Sequence, residues 1–183
     1  MGYTVRPART GDVRAIRRLI DANLVSSLLD KPTVKLYEDI QEFVVAVSAP
    51  DGDSAPGGDS APDGQVIGCG ALHVMWEDLA EIRTVAVAAD RQRQGIGGLL
   101  VGALLARASG LAVRRVFVLT FAVDFFGSFG FGEMSGAATD PDVSDPDVFA
   151  ELLRSVDEGV AEFLDLDRVK PNTLGNTRML LRL

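Results

Sequence analysis

The chain has 183 residues, 47% of them hydrophobic and 24% charged, enough apolar material for the core of one ordinary domain and too much for a disordered chain. Against 18 Lys and Arg stand 26 Asp and Glu, a net charge of −8, so the overall field repels duplex nucleic acid and anionic membrane and leaves small molecules as the expected partners. No uncharged apolar run reaches the ~20 residues needed to cross a bilayer, Met1 to Thr10 carries no apolar signal-peptide core, and the single cysteine, Cys69, has no partner for an internal disulfide, so a reducing cytoplasm is the expected home.

In chain order, Thr10-Gly11-Asp12 offers a helix cap, and Val13, Ile16, Ile20 and Leu24 recur at helical spacing, which predicts a first helix. A second, shorter helix over Thr33 to Ile40 starts after Pro32, leaving Val25 to Lys31 as the connection. Glu42 to Ser48 and Gln65 to Met75 are rich in Val and alternate as strands. Between them Ala49 to Gly64 repeats itself (APDGDSAPGGDSAPDG) and holds no large apolar side chain. It is expected to be a flexible surface insertion that lengthens a hairpin connection within a single domain spanning 1–183. Glu81 to Val87 alternates as a strand, Gly95 to Ala108 reads as an amphipathic helix, and Arg115 to Phe121 is an almost wholly apolar strand. Val123 to Phe129 follows as a short helix, Val148 to Phe163 as further helix, and Asn176 to Leu183 as a closing strand. The expected class is α/β with one mixed sheet.

Charge is unevenly spread along the chain. Arg6, Arg9, Arg14, Arg17, Arg18, Lys31 and Lys35 crowd the first forty residues, whereas Asp140 to Asp167 is dominated by acids with Arg154 the one Arg among them. A basic surface can therefore persist in an acidic protein.

The most informative segment is Val85-Ala-Val-Ala-Ala-Asp-Arg-Gln-Arg-Gln-Gly-Ile-Gly-Gly-Leu-Leu, in which a strand passes through a polar turn into a helix whose first turn is glycine-rich. Gly95, Gly97 and Gly98 would let an anion approach the backbone, facing the unpaired N–H groups and the positive dipole end of the helix, while Arg91 and Arg93 add charge. Close packing of a glycine-rich helix is the plainer alternative. The Rossmann pattern G-x-G-x-x-G/A fails at Leu100, and no Gly-Lys-Ser/Thr follows to make a Walker loop. The pattern that fits is Q/R-x-x-G-x-G/A, met by Gln92-Arg93-Gln94-Gly95-Ile96-Gly97.

This segment resembles the acetyl-CoA motif of the GNAT N-acetyltransferases, and Phe125-Phe126-Gly127-Ser128-Phe129-Gly130-Phe131 is similar to that family's later F-Y-x-x-x-G-F segment. Within the family the resemblance is to the short, single-domain bacterial N-acetylglutamate synthases. It is carried by Cys69-Gly-Ala-Leu, by Ala80-Glu-Ile-x-x-Val-Ala-Val, by Val116-Phe-Val-Leu-Thr and by the tail Lys170-Pro-Asn-Thr-Leu-Gly-Asn-Thr-Arg-Met-Leu-Leu; the insertion at 49–64 is not part of it.

What the resemblance implies is a GNAT-like acyl-CoA N-acyltransferase fold and the transfer of acetyl from acetyl-CoA, the cosubstrate, to the α-amino group of L-glutamate, the first step of arginine biosynthesis. Gln92, Arg93, Gln94, Gly95, Gly97 and Gly98 would hold the cofactor pyrophosphate, and the backbone around Val85 and Val87 would pair with the pantetheine. Glu81 is implied as the base, acting through ordered water, and Thr120 as a hydrogen-bonding partner of the thiol side or of the substrate. A bulge in the Glu81 to Val87 strand would free an amide near Val85 to polarise the thioester oxygen. Lys31, with Leu29 beside it, and Arg178, with Asn176 and Thr177, are the implied ligands of the acidic acceptor, Lys170 a weaker one. Phe126 stands where many members carry the Tyr that protonates the departing thiolate, so that role is unassigned; a thiol of pKa ~8.5 leaves tolerably without a dedicated acid.

Three further features have plainer readings. His73 lacks neighbouring Cys or His ligands, so no metal is expected. Cys69 reads as a small buried hydrophobe. The aromatic run Phe121, Phe125, Phe126, Phe129 and Phe131 reads as core. Other acceptors stay open, namely glutamine, a polyamine, an aminoglycoside or a protein N-terminus, as do a CoA-binding sensor or interaction module and a homodimer.

Overall fold

The computed structural model describes residues 2–23, 32–48, 64–134, 146–164, 166 and 176–183. In chain order the strands are β1 (Tyr3–Pro7), β2 (Phe43–Ser48), β3 (Val66–Trp76), β4 (Leu79–Val87), β5 (Arg115–Thr120), β6 (Gly132–Glu133) and β7 (Thr177–Arg182). The helices are α1 (Val13–Asn23), α2 (Thr33–Glu38), α3 (Ile96–Gly110), α4 (Val123–Gly127), α5 (Pro146–Leu152) and α6 (Glu158–Phe163). Strand order is β1-β2-β3-β4-β5-β7-β6, with β4 and β5 parallel and the pairs β1/β2, β2/β3, β5/β7 and β6/β7 antiparallel. The expected mixed α/β sheet forms. By contact density the chain divides into two compact units, one of Met1–Leu72 with Ile82–Arg107, the other of His73–Glu81 with Ala108–Leu183.

In the first unit the apolar spacing of α1 buries Val13, Ile16, Leu19 and Ile20 against Leu36, Phe43, Val45, Val47, Cys69, Ala71 and Ala86. The opposite strand face meets α3, where a side chain on Gly68 would press on Leu100 and Ile96. Strands covered on both faces have no polar side to show, which is why β2 reads FVVAVS. The corner between β1 and α1 is clamped by Asp12. Its Oδ2 accepts from the Arg9 amide at 2.7 Å, and Arg6 grips both oxygens at 2.7 and 3.0 Å. Burial works against ionisation here, but Arg6 and the Arg9 amide outweigh it and hold the carboxyl below its ordinary range.

In the second unit Asp78 fixes the start of β5. Its carbonyl accepts from the Arg114 and Arg115 amides at 2.9 and 2.8 Å, and its carboxylate meets the Arg115 guanidinium at 3.1 and 2.9 Å. The core joins Leu79 and Phe117 to Leu152, Val160, Phe163 and Leu164 of the helical segment. One expectation is revised here: the helix over Val148 to Phe163 is two helices. Ser155 Oγ accepts from Asp157 N at 3.1 Å and Asp157 Oδ1 accepts from Gly159 and Val160 N, so local side-chain bonds replace the helical ladder at the break. A second revision concerns Phe121, which lies past the end of β5 and is 40% exposed, outside the core.

Candidate active site

The first unit carries the loop expected to cradle an anion. From β4 the chain turns through a 3-10 segment, Ala89–Arg91, and enters α3 at Ile96. Arg93 and Gly95 both take left-handed backbone angles, φ 60° and 83°, a combination that aims successive N–H groups to one side. Only glycine adopts that angle at position 95 without strain. The first helical bond runs from Leu99 N to Gly95 O at 3.1 Å, so the amides of Ile96, Gly97 and Gly98 precede any intrahelical acceptor and point out of the helix start. The Gln92 and Gln94 side chains brace the loop itself: Gln92 Nε2 donates to Val87 O at 3.3 Å and Gln94 Nε2 to Asp90 O at 3.1 Å. The Tyr3 hydroxyl donates to Gln94 Oε1. What these two residues offer an anion is therefore backbone. Residues Gln92 to Gly95 are exposed, and Gly97 and Gly98 half-buried, an arrangement that fits the pyrophosphate of a CoA-type cosubstrate.

Next to the bulge expected near Val85, Thr84 is β-branched and has a left-handed φ of 61°. Such a residue breaks the regular pleat at a cost of ~1–3 kcal/mol and persists only when neighbours hold it. Two neighbours do: the Cys69 thiol donates to the Thr84 carbonyl at 3.7 Å, and Arg83 pairs with Glu42 at 3.0 Å. Burial pushes the Cys69 thiol up to about 12, which keeps it protonated and unsuited to nucleophilic chemistry.

The second unit holds the expected base. Glu81 is 7% exposed and pairs in register with Phe117. Leu119 lies two residues along β5 and pairs with Arg178 of β7. Period-two geometry therefore puts Glu81, Phe117, Leu119 and Arg178 on one face. Helix α6 covers that face: Gly159 lies against the Glu81 carboxylate, Arg178 Nη1 donates to Glu162 O at 3.5 Å, and Phe163 meets Phe117 edge-to-face at 5.5 Å. Thr120 and its register partner Thr177 fall on the opposite face, so the structure separates Thr120 from Glu81. The Thr120 hydroxyl oxygen accepts from Ala122 N at 2.9 Å, which holds the turn into α4. Asn176 is half-buried at the entry to β7.

Phe126 is 4% exposed and packs edge-to-face with Phe125 at 5.1 Å and Phe131 at 5.4 Å; in this position it is core. Leu29, Lys31, Lys170 and the insertion up to Asp63 lie outside the described residues. His73 faces Asp157, with Nε2 3.6 Å from Oδ2. Among the described residues no group of three or more His, Cys, Asp and Glu is placed to hold a metal ion, and no helix is long and apolar enough to cross a membrane. Sequence reasoning missed Thr84, Asp157 and Gly159. The run Ser155-Val-Asp-Glu-Gly159 did carry a signal, since Asp ahead of an apolar helix is a cap.

The family model of the Acetyltransferase (GNAT) family matches residues 23–131, and the chain belongs to that family. It is an acetyl-CoA-dependent N-acetyltransferase. Its relatives include a Mycobacterium tuberculosis protein named amino-acid acetyltransferase, 50% identical over 177 residues, 97% of this chain and 92% of that one. An uncharacterised N-acetyltransferase of Chlorobaculum tepidum is 36% identical over 71% of this chain and 76% of that protein. Among solved structures, the M. tuberculosis protein Rv2747, crystallised in complex with CoA, is 50% identical with a TM-score of 0.82, covering 98% of this chain and 99% of that one. An N-acetylglutamate synthase from Neisseria gonorrhoeae, complexed with coenzyme A and N-acetyl-glutamate, shares the fold at 22% identity and a TM-score of 0.70, with 35% of its own chain covered.

Proposed function

We propose that this N-acetyltransferase acetylates the α-amino group of L-glutamate, by direct attack in a ternary complex, as the first step of arginine biosynthesis. The amine nitrogen forms a C–N bond with the thioester carbonyl as the C–S bond breaks. One proton leaves the ammonium through ordered water to the Glu81 carboxylate before attack, and the second, released from the nitrogen as the amide forms, goes to the departing thiolate. The turned backbone at Thr84 and Val85 supplies the N–H that stabilises the oxyanion. The amides at the start of α3, with Arg91 and Arg93, hold the pyrophosphate.

The reading of the acceptor as an acidic amino acid is carried by Arg178. It is a half-buried cation on the sheet face that also bears Glu81, and a guanidinium has donors enough for the Glu162 carbonyl and a substrate carboxylate together. The 50% identity with a protein named amino-acid acetyltransferase supports an amino acid as the acceptor. Lys31 and Leu29 are proposed as further ligands of the acceptor, with Asn176 at the entry to β7; Thr177 lies on the other sheet face with Thr120 and is not one of them. Thr120, on the other sheet face, is proposed to serve the thiol side.

The test is thiol release from acetyl-CoA across glutamate, glutamine and aspartate, for the wild type and Arg178→Ala. The expected outcome is turnover on glutamate and a roughly tenfold to hundredfold higher KM in the variant, the loss of one charge-assisted bond. Faster turnover on glutamine would put an amide-lined subsite in place of the cationic one.

A further inference from the structure

Helix α6 begins over the sheet face that carries Glu81, and its second residue is Gly159. A methyl group built on Gly159 would collide with Glu81 Oε2 and stand 2.9 Å from Glu81 Cδ and 3.0 Å from Asp157 Oδ1. The left-handed glycines among the described residues are Gly64, Gly95 and Gly130, so no special backbone angle explains a glycine at 159, and glycine is a poor helix former. Space explains it. The side chain that a methyl would meet is the far end of a flexible glutamate, and such a clash is relieved by turning the carboxylate, not by unfolding.

The backbone at this point is held in its turn by Asp157. Its Oδ1 accepts from Gly159 N at 2.9 Å and from Val160 N at 3.3 Å. Its Oδ2 faces His73 Nε2 on β3 at 3.6 Å. At the other end of α6, Phe163 rests on Phe117, the register partner of Glu81. The helix thus meets β3 at its start and β5 at its end, the two strands that flank β4, which carries the carboxylate.

We infer that Gly159 and Asp157 are positioning residues for acyl transfer: the absent side chain at 159 leaves the space in which the Glu81 carboxylate stands, and the Asp157 cap holds the helix backbone at that distance. The inference rests on Glu81 being the base, as proposed above.

The test uses wild type, Gly159→Ala, Glu81→Gln and the double variant, with acetyl-CoA and the acceptor that gives turnover in the panel above. Thiol release is followed against pH, and melting temperatures are recorded. Gly159→Ala should melt with the wild type and keep its KM for acetyl-CoA, yet lose roughly tenfold to hundredfold in kcat, as a misplaced catalytic group does. The loss should shrink as pH rises, and the alanine should cost nothing further on the Glu81→Gln background. Equal losses on both backgrounds, or an unchanged kcat at every pH, would overturn the inference while a slow Glu81→Gln leaves the base in place. If instead Glu81→Gln runs within about twofold of wild type, the base assignment fails and this inference goes with it. A second pair covers the case in which the alanine misfolds. Asp157→Asn keeps an accepting oxygen and should keep kcat, Asp157→Ala should lose it, and equal rates in the pair count against the cap.

Discussion

At the scale of single residues, burial decides which groups can do chemistry. Glu81 and Cys69 are both interior positions of strands, yet only the first is proposed to do chemistry. The carboxylate is a proton acceptor wherever it stands in its charged form, whereas a thiol pushed up to about 12 is protonated throughout the working range. Glu81→Gln should therefore lower kcat by ~10²–10⁴-fold while acetyl-CoA affinity changes little, a comparison made by thiol release and calorimetry. Cys69 should resist alkylation in the native protein from pH 7 to 9 and react fully once denatured. Rapid labelling of the folded enzyme would contradict its burial. The family motif singled out Glu81 in the sequence. Gly159 was not legible, because its role is defined by an atom 78 positions away in the chain and a glycine in a polar run looks like any turn.

At the scale of elements, the glycine-rich start of α3 makes a pointed claim. Gly97→Asp puts an anion on amides that precede the first helical bond, so acetyl-CoA binding should be abolished in calorimetry while the melting temperature stays near that of wild type. The corner between β1 and α1 makes another. The Asp12 carboxyl sits below its usual range in the folded chain, so its contribution is present above the unfolded value of ~3.9 and is lost as pH falls through the folded value. Asp12→Asn should cost about 1–3 kcal/mol in urea melts at neutral pH, and the difference from wild type should vanish in strong acid.

Most elements could be read from periodicity: α1, α2, the two strands flanking the insertion and the apolar β5 each fall within a few residues of their expected bounds. Those that could not have physical reasons. β1 is five residues with Arg6 and Pro7 among them, and its alternation is too short to stand out. β6 is two residues and exists only because β7 pairs with it. The break between α5 and α6 depends on Ser155 and Asp157 choosing backbone partners, a competition that apolar spacing does not register.

At the scale of the whole molecule, the net charge of −8 attracts any polycation whether or not it fits a pocket. A fitted acceptor and a field-attracted one differ in their response to salt. In the presence of saturating CoA, glutamate should raise the melting temperature by an amount that survives high salt, and a shift given by spermidine should fade as the ions screen it. A spermidine shift that persists, with none from glutamate, would favour a cationic acceptor.

The place of β7 bears on how the chain is made. It is the last strand in sequence and yet lies between β5 and β6. The stretches 1–72 and 82–107 that make up one unit are complete before β5 is synthesised. The other unit waits. Until Thr177–Arg182 leaves the ribosome, the Val116-Phe-Val-Leu run of β5 has an open edge, which makes it a target for chaperones and for neighbouring nascent chains.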